Sequence, residues 1–306
     1  VTAPGAGTSA AGEPETGVPV IDAHHHVWDV SAHPQPWLDS DEALAPLRRE
    51  FAVADLAPVA AAEGVTGTVV VQTVAECWET PELLALAAAG GLVGGVVGWA
   101  DLTAPDVADA VARLRELPGG DRLAAIRHPV LTEPDPDWLA RPAVLRGLAA
   151  VAAAGLAYDV VGEPHHLPAA VAAAARLPQL TFVLDHVGNP DLSTSPQDSE
   201  PWARAFARLA ALPNVAVKLS GILSEPPPPG TGRQEHLRPY YDVALARFGP
   251  DRLMFGSDWP VCTLGASYAG VCAAARALTA GLSPAERDAI FSGTARRIYA
   301  VTQVGR

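Results

Sequence analysis

Short runs of consecutive apolar, β-branched residues recur along this 306-residue chain, separated by Ala-rich stretches whose apolar positions follow helical spacing. The apolar runs predict strands at 20–24, 67–72, 93–99, 123–127, 157–161, 181–185, 215–219 and 252–256. They are continuous instead of alternating with polar residues, which marks strands buried on both faces, as in a parallel sheet. Helices are predicted at 53–63, 81–89, 107–116, 143–154, 167–176, 202–211, 240–248, 267–280 and 284–291. Eight strand–helix units in succession predict an α/β fold closed into a (β/α)8 TIM barrel, in a single domain. No G-x-G-x-x-G follows a predicted strand, which argues against an open dinucleotide-binding sheet.

Longer insertions at 28–49, 128–141, 188–201 and 221–239 follow predicted strands. They would sit at the C-terminal face, where barrel enzymes assemble their sites. Residues 1–17 are small, acidic and rich in Pro and Gly, with neither the basic start nor the apolar stretch of a secretory signal. They are expected to form a disordered tail ahead of a barrel spanning 18–306.

Composition narrows the partners. With 34 Asp and Glu against 21 Lys and Arg, the net charge is −13, and no basic cluster offsets it. Nucleic acid and anionic membrane are therefore poor partners. No run of about 18 apolar residues is free of Gly, Pro or charge, so no membrane span is expected. The cysteines, Cys77, Cys262 and Cys272, are odd in number and lack close-paired spacing. That argues against a disulfide framework and a Cys-rich zinc site, and fits the cytoplasm. A small-molecule partner is expected, and a homo-oligomer is compatible with all of this.

The strongest local signal is IDAHHHVWD. Residues two apart in a strand share a face, so His24 and His26 point together and His25 points away. Two imidazoles at a barrel mouth are a natural chelate for a divalent ion, although a histidine-rich loop would read the same way. FVLDHVGNP ends a predicted strand with Asp185 and His186, and MFGSDWPV places Asp258 just past the last one. Taken singly, the first could be a structural Asp–His pair and the second a turn residue. Taken together, ligand-type residues leave strands one, six and eight at the same rim. Trp28, Trp37, Trp99, Trp138 and Trp259 fall at or after strand ends, either as packing or as aromatic walls for a compact ring.

These segments, with GVVGWADL, AIRHPVLTEPDPDWL, VAVKLSGILSE and DRLMFGSDWPVC, give the chain a resemblance from Val20 to Tyr299. It resembles the amidohydrolase-2 group of the amidohydrolase superfamily. Within that group it is most similar to a sugar-lactonase branch of L-fucono- and L-rhamnonolactonase-like proteins, with pyrone-dicarboxylate lactonase as a cousin. The resemblance implies that His24, His26, His186 and Asp258 hold a metal, with Asp258 also activating water. It implies catalytic positions for His186, Arg127 and Lys218, and substrate contacts at His128. Trp28, Trp37, Tyr158 and Trp259 are added as expected substrate-binding residues. The fourth strand reads AAIRHP, without the bridging residue of binuclear members, so one divalent ion is expected, with zinc suggested. Tyr158 and Asp159 stand where other branches carry a histidine, and a metal-independent His/Asp/Arg site is the other reading. Thr294 replaces a common Asn and is expected to cap a helix. The implied activity is opening of a lactone ring by water. Amide or ester hydrolysis, decarboxylation, or a barrel that only binds a small molecule remain the alternatives.

Overall fold

The computed structural model describes residues 19–224 and 226–301. The tail expected at 1–17 lies outside the described residues. Eight strands, β1 (Val20–His25), β2 (Val65–Val71), β3 (Val93–Gly98), β4 (Leu123–Pro129), β5 (Ala157–Val161), β6 (Phe182–Leu184), β7 (Val215–Leu219) and β8 (Leu253–Phe255), stand side by side in chain order. Each pairs with the next in parallel. Between and after them run α1 (Val53–Ala62), α2 (Glu79–Ala88), α3 (Val107–Glu116), α4 (Pro142–Ala153), α5 (Leu167–Arg176), α6 (Glu200–Ala210), α7 (Arg233–Phe248), α8 (Tyr268–Thr279), α9 (Pro284–Asp288) and α10 (Thr294–Tyr299). The expected (β/α)8 barrel is what the chain forms. No helix among the described residues is long and apolar enough to cross a membrane.

Two cores hold it. Between sheet and helices lies a large layer that includes Val70, Ile126, Tyr158, Phe182, Val217 and Trp202. Inside the barrel, small and β-branched residues such as Ala23, Val69, Val97, Ala125, Ala157, Val183 and Ala216 pack with Met254. Tyr299 and Val301, which follow the last strand, complete that inner layer. Small side chains are needed because eight strands leave room for little more than their own inward residues.

The seam between β8 and β1 closes through the residues that follow β8. Asp258 N–H donates to His24 O (2.8 Å), and His26 N–H donates to Trp259 O (2.7 Å). A Cβ on Gly256 would lie 2.7 Å from the Cβ of His24, so the seam needs glycine there. Closure of the barrel thus brings the His24–His26 pair and Asp258 together.

Three local expectations differ from the structure. β6 stops at Leu184 because the chain then turns left-handed, with φ of 55°, 55°, 76° and 49° from His186 to Asn189. α7 begins inside the insertion expected at 221–239 and continues through Pro239, its buried Leu237, Tyr240, Tyr241 and Ala244 carrying the helix past the missing donor. Thr294 is not a cap. It sits at φ −64° and ψ −45° in a continuous helical run, and its hydroxyl donates to Asp251 O (3.1 Å).

Candidate active site

β1 carries a register irregularity against β2 between Asp22 and His25. A bulge of this kind re-aims side chains. Ala23 and His24 both face the barrel interior, while Asp22 and His25 face outward. Asp22, fully buried, accepts from Ser257 N (2.8 Å), Ser257 Oγ (2.6 Å), His24 N (3.2 Å) and Tyr268 Oη (3.0 Å). It ties β1 to the chain after β8 and to α8. Burial pushes its carboxyl up to about 6, against the pull of those donors. His25 Nε2 lies 2.9 Å from Thr68 Oγ1, on the opposite face from its two neighbours.

His24 Nε2 lies 3.1 Å from His26 Nε2 and 3.7 Å from Asp258 Oδ1, and His26 Nε2 is 3.5 Å from the same oxygen. All three side chains are buried. Ligands at about 2.0–2.2 Å around a tetrahedral ion stand roughly 3.3–3.5 Å apart, so this spacing fits one divalent cation. The protons fit as well. His26 Nδ1 lies 2.7 Å from Val71 O, which only accepts, so Nδ1 carries the proton and Nε2 presents its lone pair. Burial, with Arg127 nearby, holds His26 down near 3, and burial with Lys218 keeps His24 well below the ordinary range. Both imidazoles are therefore neutral. His24 Nδ1 lies 3.4 Å from Asp185 Oδ1 and 3.2 Å from Lys218 Nζ: accepting from Lys218 it leaves Nε2–H to bond His26 Nε2, and donating to Asp185 it frees the Nε2 lone pair for a cation.

His186 stands beside this trio, its ring centroid 4.7 Å from that of His24 and its Nδ1 2.9 Å from Ser220 Oγ. Burial lowers its pKa. Both His186 and Asp258 sit at positive φ, 55° and 59°. Val187 shares φ 55°, an outlying conformation for a β-branched residue that costs about 1–3 kcal/mol. Neighbours hold the turn: Trp202 Nε1 donates to Val187 O (2.8 Å), and Asn189 Nδ2 donates to Gly162 O (3.1 Å). Gly221, at φ 68°, faces the His186 ring so closely that a Cβ would come within 2.7 Å of it. Burial raises the Asp258 carboxyl, and His186 and Arg127 partly offset this.

Beneath the trio lies a layer of charges with no solvent contact. Lys218 Nζ is 2.5 Å from Asp159 Oδ2, 3.1 Å from Asp185 Oδ1 and 3.2 Å from His24 Nδ1, and all these side chains are fully buried. Tyr299 Oη donates to Asp159 (2.8 and 2.9 Å). Arg127 donates to Asp185 Oδ2 (3.0 Å) and to Gln72 O. Burial alone would raise Asp185; Lys218, His24 and Arg127 outweigh it and hold the carboxyl well below the usual range.

Above the trio opens a cavity of about 1380 Å³, with His26, Arg127, His186 and Asp258 at its floor and Trp37 on its wall. Several residues expected at the substrate face elsewhere. Tyr158 is wholly buried on the outer side of β5, in the layer under the helices, because alternation aims its neighbour Asp159 inward instead. His128 stacks on Trp138 (centroids 4.0 Å apart) and bonds Trp99 Nε1 (3.1 Å) and Glu133 (2.8 Å). Trp28 packs edge-on against Trp37 and Phe51, and Trp259 against Phe51, so both are packing residues. Lys218 lies below the floor, out of reach of a bound molecule. Asp159 was noted only as standing with Tyr158 where other branches carry a histidine, and Asp22 and Tyr299 were given no role.

The amidohydrolase family pattern matches residues 21–301. The chain belongs to the amidohydrolase family. This amidohydrolase is 38% identical over 291 residues to an L-fucono-1,5-lactonase of Burkholderia multivorans, covering 92% of this chain and 96% of that one. It is 35% identical over 286 residues to an L-fucono-1,5-lactonase of Burkholderia ambifaria, at 92% and 95% coverage. A crystal structure of a Burkholderia multivorans amidohydrolase with bound zinc matches it with a TM-score of 0.85 at 36% identity, over 93% of this chain and 100% of that one.

Proposed function

We propose that this amidohydrolase opens a lactone ring by water attack at the His24–His26–Asp258 mouth. The observation that carries the reading is the convergence of two neutral imidazole nitrogens and one carboxylate oxygen, 3.1–3.7 Å apart, at the floor of the cavity. The two L-fucono-1,5-lactonase relatives support the choice of a lactone.

His24, His26 and Asp258 would hold one divalent ion, with zinc favoured by a nitrogen-rich, compact donor set. Such an ion supplies Lewis acidity to an oxygen of substrate or water. A second ion is disfavoured, because the neighbouring His24–Asp185–His186 group already has the Lys218 ammonium 3.1 Å from Asp185. Asp258 takes a proton from water as its oxygen bonds to the carbonyl carbon. His186, fixed by Ser220, holds that water, and Arg127 donates to the carbonyl oxygen as it gains charge. The acyl–oxygen bond then breaks, and the proton passes from Asp258 to the departing ring oxygen, giving an open hydroxy acid. Lys218 acts through others, fixing His24 and Asp185. Trp37 forms one wall for the substrate. The cysteines are all free, which supports a cytoplasmic setting.

Elemental analysis of protein purified without chelator should find one divalent equivalent per chain. The same protein should hydrolyse 1,5-lactones, followed by acid release. A metal-loaded, folded protein inactive on a lactone panel refutes the lactonase reading. Two tightly held equivalents refute the single-ion reading.

A further inference from the structure

The cavity over the trio, about 1380 Å³, exceeds the roughly 300–1,000 Å³ of ordinary small-molecule sites. A bare monosaccharide ring would leave most of it unfilled. The groups placed for chemistry, His26, Arg127, His186 and Asp258, are at the floor. Trp37, Trp78, Leu131, Leu192, Ile222 and Val261 stand on the walls. Leu131, on that wall, is 45% exposed.

Polar side chains on the walls are largely committed to the protein itself. Thr73 Oγ1 donates to Glu79 Oε1 (2.5 Å) and lies 2.9 Å from the Gln35 amide, Thr132 Oγ1 donates to Pro129 O (2.8 Å), and Asn189 Nδ2 to Gly162 O (3.1 Å). Ser193 Oγ is spent on Asp191 (2.6 Å). A polyhydroxylated ring would lose water there without full repayment in hydrogen bonds. Charge selects further. Arg127 is the one Lys or Arg among the described lining residues, and its guanidinium serves Asp185 and Gln72 O. Glu76, Glu163 and Asp191 stand exposed around the same cavity. A negatively charged substituent on these walls meets those carboxylates, since the arginine lies at the floor, and the hydroxy-acid product, once ionised, is repelled outward.

Resting on the lactonase reading, we propose that the physiological substrate is an uncharged lactone bearing an extended apolar substituent. Its ring lies on the floor, and the substituent runs along the wall by Trp37 and Leu131. Each methylene buried on that wall is worth roughly three- to fourfold in binding.

The test is kcat/KM on the metal-loaded protein for δ-decalactone, δ-valerolactone, D-glucono-1,5-lactone and a δ-lactone with a terminal carboxylate on its alkyl chain. δ-Decalactone should exceed each of the other three at least tenfold. Leu131→Asp, a change at an exposed position that the fold tolerates, should lower the δ-decalactone value about tenfold and shrink its lead over δ-valerolactone. Equal or better turnover of the glucono-lactone, or of the carboxylated lactone, overturns the proposal while leaving the lactonase reading intact. Hydrolysis of none of the four overturns that reading, and this proposal with it.

Discussion

Two layers of charged and polar groups, one on top of the other, are treated in opposite ways by this barrel. In the lower one, Lys218, Asp159 and Asp185 have fully buried side chains, Tyr299 is buried beside them, and opposite charges meet at 2.5–3.1 Å. In the upper one, two imidazole nitrogens and the Asp258 carboxylate converge at 3.1–3.7 Å beside a cavity, with no Lys or Arg ion-paired to Asp258 among the described residues. Buried charges are tolerated when paired, and the lower layer is paired throughout. Two imidazoles and a carboxylate without a counter-cation leave room for one from outside. The difference separates a scaffold from a site: the lower layer fixes His24 and Asp185 so that the upper layer can stay incomplete.

Breaking the upper layer should cost activity and little stability. Asp258→Asn is expected to lower kcat by about 10²–10⁴-fold, the worth of a general base. Asparagine tolerates the left-handed backbone at φ 59°, so the thermal midpoint should stay near that of the parent. Turnover within threefold of the parent would remove Asp258 from the chemistry. Breaking the lower layer should cost stability as well as the positioning of His24. Lys218→Met strands the Asp159 and Asp185 carboxylates in the interior and should cost about 3–5 kcal/mol in urea unfolding. Pairing it with Asp159→Asn should recover part of that loss. A single-variant cost below about 1 kcal/mol would mean that water reaches the layer, and the contrast between the two would collapse.

The upper layer was far more legible in the sequence than the lower. The eight strands announced themselves as continuous apolar runs, and His24, His26, His186 and Asp258 stood at strand ends in short, unusual motifs. The lower layer was legible only in part: Lys218 and Asp185 stood at strand ends, but their partners left no such mark. Asp159 and Tyr299 are 140 residues apart and look like ordinary polar positions in apolar segments. Only barrel closure makes them neighbours of Lys218. Asp22 was hidden for another reason. Strict alternation puts it on the face of His24, but the irregularity in β1 turns it outward to Ser257 and Tyr268. Tyr158 and His128 went wrong by one residue of register: Asp159 and Arg127, their neighbours, are the ones aimed inward. The aromatic residues at strand ends were ambiguous in principle, since a tryptophan that packs a loop and one that walls a site have the same sequence context. Of those expected to bind substrate, Trp37 alone lines the cavity.

The smallest expected effect sharpens the comparison inside a single strand. His25 lies between His24 and His26 but faces the outer layer, with Nε2 on Thr68 and Nδ1 without a partner among the described residues. Burial, with His26 close by, pushes its pKa down from 6.5 to about 3. In the unfolded chain the same imidazole takes up its proton near 6.5. Between those values the unfolded state binds more protons, so folding stability is full above about 6.5 and falls as pH drops toward 3. At pH 4.5 this one group should account for about 2–3 kcal/mol of lost stability. His25→Gln, measured by urea unfolding at pH 7.5 and 4.5, should lose correspondingly less between the two than the parent, whatever its absolute stability. An unchanged difference would mean that His25 is protonated in the folded protein, and hence that the outer face of β1 is wetter than its burial indicates.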